Sequence, residues 1–231
     1  MENSRPDMPE TFQPTTYVWW VITHLGSASL LMPILAVAAA GLWQSRQRAA
    51  ARIWLLALAL AVMITLATKI LFLGWGIGIA SLDFTGISGH TLLATAVLPV
   101  LFSWLLAPDR YRFRLTGASV GLLLAAAVGI SRIVLGAHSI SDVVVAWLAG
   151  LAVSGVTLNA LRSPIQRPWF ARLLPLVLLF AFGTTTSTYL PTHDWEIRIA
   201  MFLSGNDKPY SRQHSMRPAR IGQLRSRIAA S

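Results

Sequence analysis

The chain has 231 residues, 55% of them hydrophobic and only 12% charged, with a mean hydropathy of +0.59. A soluble domain carries roughly 25% charged residues, so this composition excludes an ordinary soluble protein and indicates an integral membrane protein with polar ends. The formal net charge is +10 and there is no cysteine; the basic residues lie in short loops and the C-terminal stretch rather than in a nucleic-acid motif, so no nucleic-acid partner is expected, and disulfides and thiolate metal sites are excluded.

In chain order, Met1 to Thr16 sets Glu2, Asp7 and Glu10 against Arg5. It lacks the positive start of a signal peptide and reads, within residues 1–26, as a polar N-terminal tail and interfacial segment. Six apolar segments follow, each near the roughly 17–25 residues that a helix needs to span a bilayer. They fall at about Ser27–Trp43, with a possible start at Val18, then Ile53–Leu73, Thr91–Ala107, Leu115–Leu135, Val143–Leu161 and Leu173–Leu190. Backbone polar groups in lipid must be satisfied internally. The predicted fold is therefore all-α: a polytopic membrane helix bundle of about six transmembrane helices over residues 27–190. Trp19, Trp20, Trp43, Trp54, Trp75, Trp104 and Trp169 lie near span ends, where the headgroup level favours them. Trp147 sits mid-span and is expected to pack between helices.

Residues 191–231 are expected as a basic C-terminal tail. After Asp207 they carry Lys208, Arg212, Arg217, Arg220, Arg225 and Arg227 and no acidic residue. Such a tail either lies on anionic headgroups or is solvated. Arg46, Arg48 and Arg52, then Arg110, Arg112 and Arg114, then Arg162, Arg167 and Arg172 occupy alternate loops. The excess of arginine assigns those loops to the cytoplasm. The opposite face carries the loop from Trp75 to Ile87 and the turn near Gly136.

Every ionisable candidate in or beside an apolar segment belongs to that second face. These are Lys69, the triplet Ser88-Gly89-His90, and the string from Ser131-Arg132 through His138 to Asp142. Ionisable groups in such places are costly and mark functional sites. Their chemistry suits phosphate: Arg and Lys neutralise the oxygens, Arg through a planar fork. The amides of a glycine-containing helix start add donors. His138 and Asp142, four apart, share a helix face, where the carboxylate can fix the imidazole tautomer.

The spacing of Ser131-Arg132, His138 and Asp142 resembles the third signature of the type 2 phosphatidic acid phosphatase superfamily. Ser88-Gly89-His90 resembles its second, with Ile87 where proline is usual. Lys69 matches the start of the first, but Gly76-Ile77 stands where that signature has Arg-Pro. The resemblance implies that His138 attacks phosphorus, Asp142 orients it and His90 protonates the leaving oxygen. It also implies that Lys69, Ser88, Gly89, Ser131 and Arg132 hold the phosphate, without a metal or other cofactor. The implied protein is a membrane phosphatase acting on a lipid phosphate or polyprenyl pyrophosphate among membrane lipids. Its expected place is a bacterial inner membrane, with the site facing the periplasm or outside. A lipid phosphotransferase using the same histidine, or a lipid-phosphate binding or transport protein without catalysis, are the alternatives. Structural readings stand beside these: Lys69 snorkelling to the headgroups, Asp142 capping a helix, and Arg132 paired with Asp142.

Overall fold

The structure, a computed structural model, describes residues 14–106, 111–161 and 192–211. They form α1 (Pro14–His24), α2 (Ala28–Gln44), α3 (Arg48–Trp75), a 3-10 turn (Ala80–Leu82), α4 (Gly89–Leu106), α5 (Tyr111–Val134), α6 (Ile140–Ala160) and α7 (Thr192–Ser204). The chain is an all-α membrane helix bundle. Thr16–Gln44, Arg48–Trp75, Arg114–Val134 and Ile140–Ala160 are long and apolar enough to cross a bilayer, and Gly89–Leu105 is a shorter apolar helix. Helices α2 to α6 correspond to the first five expected spans. The sixth, Leu173–Leu190, lies outside the described residues, as do Arg162, Arg167, Arg172 and the basic stretch from Arg212 onward.

Helix α4 is central. Its Leu92, Val97, Val100 and Leu101 are buried, and close backbone approaches fix its neighbours. A Cβ on Gly121 of α5 would lie 2.5 Å from the Leu98 carbonyl, and one on Gly150 of α6 would lie 2.6 Å from Thr95. Small residues at membrane helix contacts allow this approach, where dispersion and shape drive association. On the α3 side, Trp54 is fully buried and its Nε1 donates to Ala96 O at 3.0 Å. Trp54 and Trp104, expected at the headgroup level, are therefore core residues. For Trp54 the indole N–H finds a backbone carbonyl, which removes the reason to seek water. Trp147 packs on Gly129 between α5 and α6, as its mid-span position predicts.

The arginines also divide. Arg48 and Arg52 place their guanidinium groups over Trp43, 5.8 and 5.2 Å from its ring centre. Arg114 is instead buried, and its Nη2 donates to Leu158 O and Leu161 O at 3.3 and 3.4 Å. A cation there satisfies the last carbonyls of α6 and meets the negative end of its dipole.

At the other end, the backbone breaks between α1 and α2. Gly26 fits there because a Cβ would meet Val128 at 2.6 Å and the His90 carbonyl at 2.8 Å. Residues 192–211 dock along the end of α3. Gly74 lies under Ala200 and Ser204, Asn206 Nδ2 donates to Gly74 O (2.6 Å), and Tyr210 N donates to Leu73 O (2.9 Å).

Overpacking a close-fitting contact costs roughly 1–3 kcal/mol. Gly121→Ile is expected to lower the detergent Tm by several degrees. Gly155→Ala, where a Cβ meets nothing within 4 Å, should leave it in place; thermal unfolding of both variants checks this.

Candidate active site

Asp142 organises the site. Ser139 caps α6 and accepts a bond from Asp142 N at 3.2 Å, while the Asp142 carboxylate accepts from Ser139 N at 3.4 Å, a reciprocal capping box. The same carboxylate reaches beyond the helix. Oδ1 accepts from Thr85 N (3.0 Å) and Gly86 N (3.3 Å), and Oδ2 from Thr85 Oγ1 (3.3 Å). Oδ2 also lies 3.1 Å from His138 Nδ1. Capping the helix and holding the imidazole are thus done by one side chain.

The turn before α6 fixes where His138 stands. Gly136 takes φ +66, a left-handed conformation that glycine adopts without a Cβ clash. Beyond it, Ala137 N and His138 N both donate to Arg132 O, at 3.0 and 3.2 Å. That closure ties the histidine to the last turn of α5. The Arg132 side chain turns toward α1, where Nη1 donates to Thr23 Oγ1 at 3.1 Å.

The start of α4 joins through the backbone: Ser88 N donates to Asp142 O at 3.3 Å. Ser88 is fully buried, and its Oγ accepts from Thr91 Oγ1 at 3.0 Å. A Cβ on Gly89 would meet nothing within 4 Å, so open space adjoins this residue at the start of α4. His90 follows on that turn. Ser131 differs from the others: it is fully buried and its hydroxyl donates to Val128 O at 2.6 Å, within its own helix. Its hydroxyl is thus engaged by a carbonyl of α5.

Lys69 approaches along α3. Its Cγ lies 2.9 Å from where a Cβ on Gly86 would stand, and Gly86 N is one of the donors to Asp142. Its Nζ pairs with both carboxylate oxygens of Glu196 on α7, at 2.8 and 3.1 Å. A cavity of about 230 Å³, lined in part by Trp75, Asp83, Phe84 and Tyr210, shares Thr85 with the site. Among the described residues, no group of three or more histidines and acids is arranged to hold a metal.

The His138 side chain is 15% exposed. Burial pushes its pKa below the ordinary 6.5, and the charges of Lys69 and Arg132 push the same way; the hydrogen bond to Asp142 opposes them without reversing the result. The ring is therefore neutral at pH 7. Because Nδ1 faces a carboxylate, Nδ1 carries the hydrogen and Nε2 keeps a lone pair. Such a ring, beside two cations and an open helix start, can attack an electrophilic phosphorus.

The family model for the PAP2 superfamily matches residues 80–166. The chain belongs to the PAP2 superfamily. A Klebsiella pneumoniae relative, described as an uncharacterized 22.5 kDa protein in the cps region, is 35% identical over 206 residues, covering 84% of this chain and 95% of the relative. Among solved structures, a transmembrane PAP2 type phosphatidylglycerolphosphate phosphatase from Bacillus subtilis is 25% identical. It matches with a TM-score of 0.51 over 64% of this chain and 77% of its own. This PAP2 chain is thus a membrane phosphatase in broad class. The PAP2 match spans Ser88 to Asp142 and leaves Lys69 outside.

Four partners have no sequence motif: Thr85 and Gly86 behind Asp142, Thr23 behind Arg132, and Glu196 behind Lys69. Glu196 carried one signal, an acid amid the apolar residues of Trp195–Leu203.

Because the Asp142 hydrogen bond raises the pKa of His138, Asp142→Asn is expected to move it further below 6.5. Lys69→Met, by removing a cation, should move it up. Imidazole ¹³C NMR titration of both variants in detergent reads the two directions.

Proposed function

We propose that the protein hydrolyses a lipid phosphate or polyprenyl pyrophosphate through a phosphohistidine on His138, at the periplasmic or outer face of a bacterial inner membrane. The observation that carries this reading is the 3.1 Å contact between His138 Nδ1 and the buried Asp142 carboxylate, an arrangement that would leave Nε2 as the nucleophile. The arginine-rich loop between α2 and α3 lies at the other end of the bundle, which supports the assigned side.

In the proposed reaction the phosphate sits at the open first turn of α4, between Arg132 and Lys69, with the Gly89 N–H directed at an oxygen. The His138 Nε2 lone pair forms a bond to phosphorus as the bond to the leaving oxygen breaks. His90 gives that oxygen its proton. Asp142 stabilises the ring as it becomes positive. Water then attacks the phosphohistidine, His90 takes a proton from it, and inorganic phosphate leaves with His138 neutral again. The lipid tail lies along the bundle surface, and the reacting group meets water at the end of the helices.

His138→Ala is expected to abolish phosphate release in detergent with EDTA present while the Tm stays near that of wild type. An unchanged rate would rule out the nucleophile. Wild-type enzyme quenched in alkaline SDS should carry label from a ³²P substrate in base-stable, acid-labile form. Label moving to an added acceptor lipid would support phosphotransfer, and tight lipid-phosphate binding without turnover would support a binding protein.

The nucleophile must be neutral and its pKa is lowered, so the acid limb of kcat/KM should fall below pH 6.5. General acid catalysis contributes roughly 10²–10⁴-fold. His90→Ala should therefore cost about that much with a lipid alcohol leaving group, and much less with p-nitrophenyl phosphate, whose leaving group needs no proton.

A further inference from the structure

We propose that Glu196 is a positioning residue of the phosphatase site, holding the Lys69 ammonium group where the phosphate binds. The inference rests on the reading of Lys69 as a phosphate-holding residue.

Lysine is a poor positioner by itself. Its charge ends a flexible four-carbon stem, whereas arginine presents a planar, pre-organised fork. At the end of a membrane helix the stem is free to carry the charge to the headgroups. Here that freedom is removed from two sides. On one, Gly86 packs against the Lys69 backbone and Cγ, and Gly86 N holds Asp142. On the other, both Glu196 oxygens engage Nζ at 2.8 and 3.1 Å. An ammonium group has three donors; two directed at Glu196 leave the third for another acceptor.

Glu196 is itself held. Its side chain is 10% exposed, and α7 is docked on α3 through Gly74, Asn206 and Tyr210. The charge of Lys69 reaches the nucleophile, since it helps lower the His138 pKa. The segment after the last expected span thus reaches the site through an ion pair between residues 127 apart in sequence.

The test is a double-mutant cycle on Lys69→Met and Glu196→Ala, with Glu196→Gln as the variant that preserves the shape of α7. Coupled contact residues interact measurably where independent ones add. With Lys69 present, Glu196→Ala should lower kcat/KM about tenfold, mainly through KM, and in the Lys69→Met background less than about twofold. Orthophosphate affinity, measured in parallel, reads the same cycle without turnover. Equal losses in both backgrounds would make Glu196 a structural contact and overturn the proposal, as would no loss in either. A wild type that neither turns over nor binds orthophosphate would remove the functional reading itself, and this inference with it. Turnover in wild type with an additive cycle would remove only the role of Glu196.

Discussion

The site depends on one buried carboxylate. Asp142 is fully buried at the first turn of a membrane helix, where an unpaired charge would be costly. It is tolerated because donors converge on both oxygens from separate segments: Thr85 and Gly86 from the loop before α4, and His138 and Ser139 from the turn before α6. Each donor is thereby pinned in turn. The loop is drawn against α6, and Ser88 N comes within reach of Asp142 O, which ties the start of α4 to the start of α6. Folding this end of the bundle and assembling the site are one event.

That assembly needs a rigid platform, and the helix contacts provide it. Gly121 and Gly150 let α5 and α6 approach the α4 backbone closely, so the relative heights of the three helices are set by contacts that tolerate no sliding. The carbonyl of Arg132, capped by the amides of residues 137 and 138, transmits the position of α5 to the histidine. Groups held by helix ends in this way keep their geometry better than groups on free loops.

The parts legible in the sequence are those with a local signal. Lipid enforces helices, so α2 to α6 stand out as apolar runs. The four-residue spacing of His138 and Asp142 places them on one face by helix geometry alone. Tertiary partners have no such signal: Thr23 meets Arg132 across 109 residues and Lys69 meets Glu196 across 127. Residue type alone also fails where one type serves two environments. Trp43 lies at a helix end under two arginines, whereas Trp54 is in the core, and both begin or end apolar runs. Helix α7, at 13 residues, is too short to register as a span and too mixed in polarity to register as a core helix.

Position 76 shows how one departure from a motif follows from the surrounding fold. The resemblance places an arginine there, and the chain has Gly76. Gly76 ends α3 at φ +67, and a Cβ on it would lie 2.8 Å from the Tyr210 ring. A longer residue would meet both a strained backbone and the docked C-terminal segment. The arginine is therefore absent from a place that α7 and its extension occupy, and the same segment brings Glu196 to Lys69. Under the proposed reading, a site with fewer cations depends more on where its remaining cations stand. A phosphate oxygen attracts a charge at any orientation, but in-line attack by His138 requires the phosphorus to be held at one. Fixing Lys69 supplies orientation where the missing arginine would have supplied a second fork of donors.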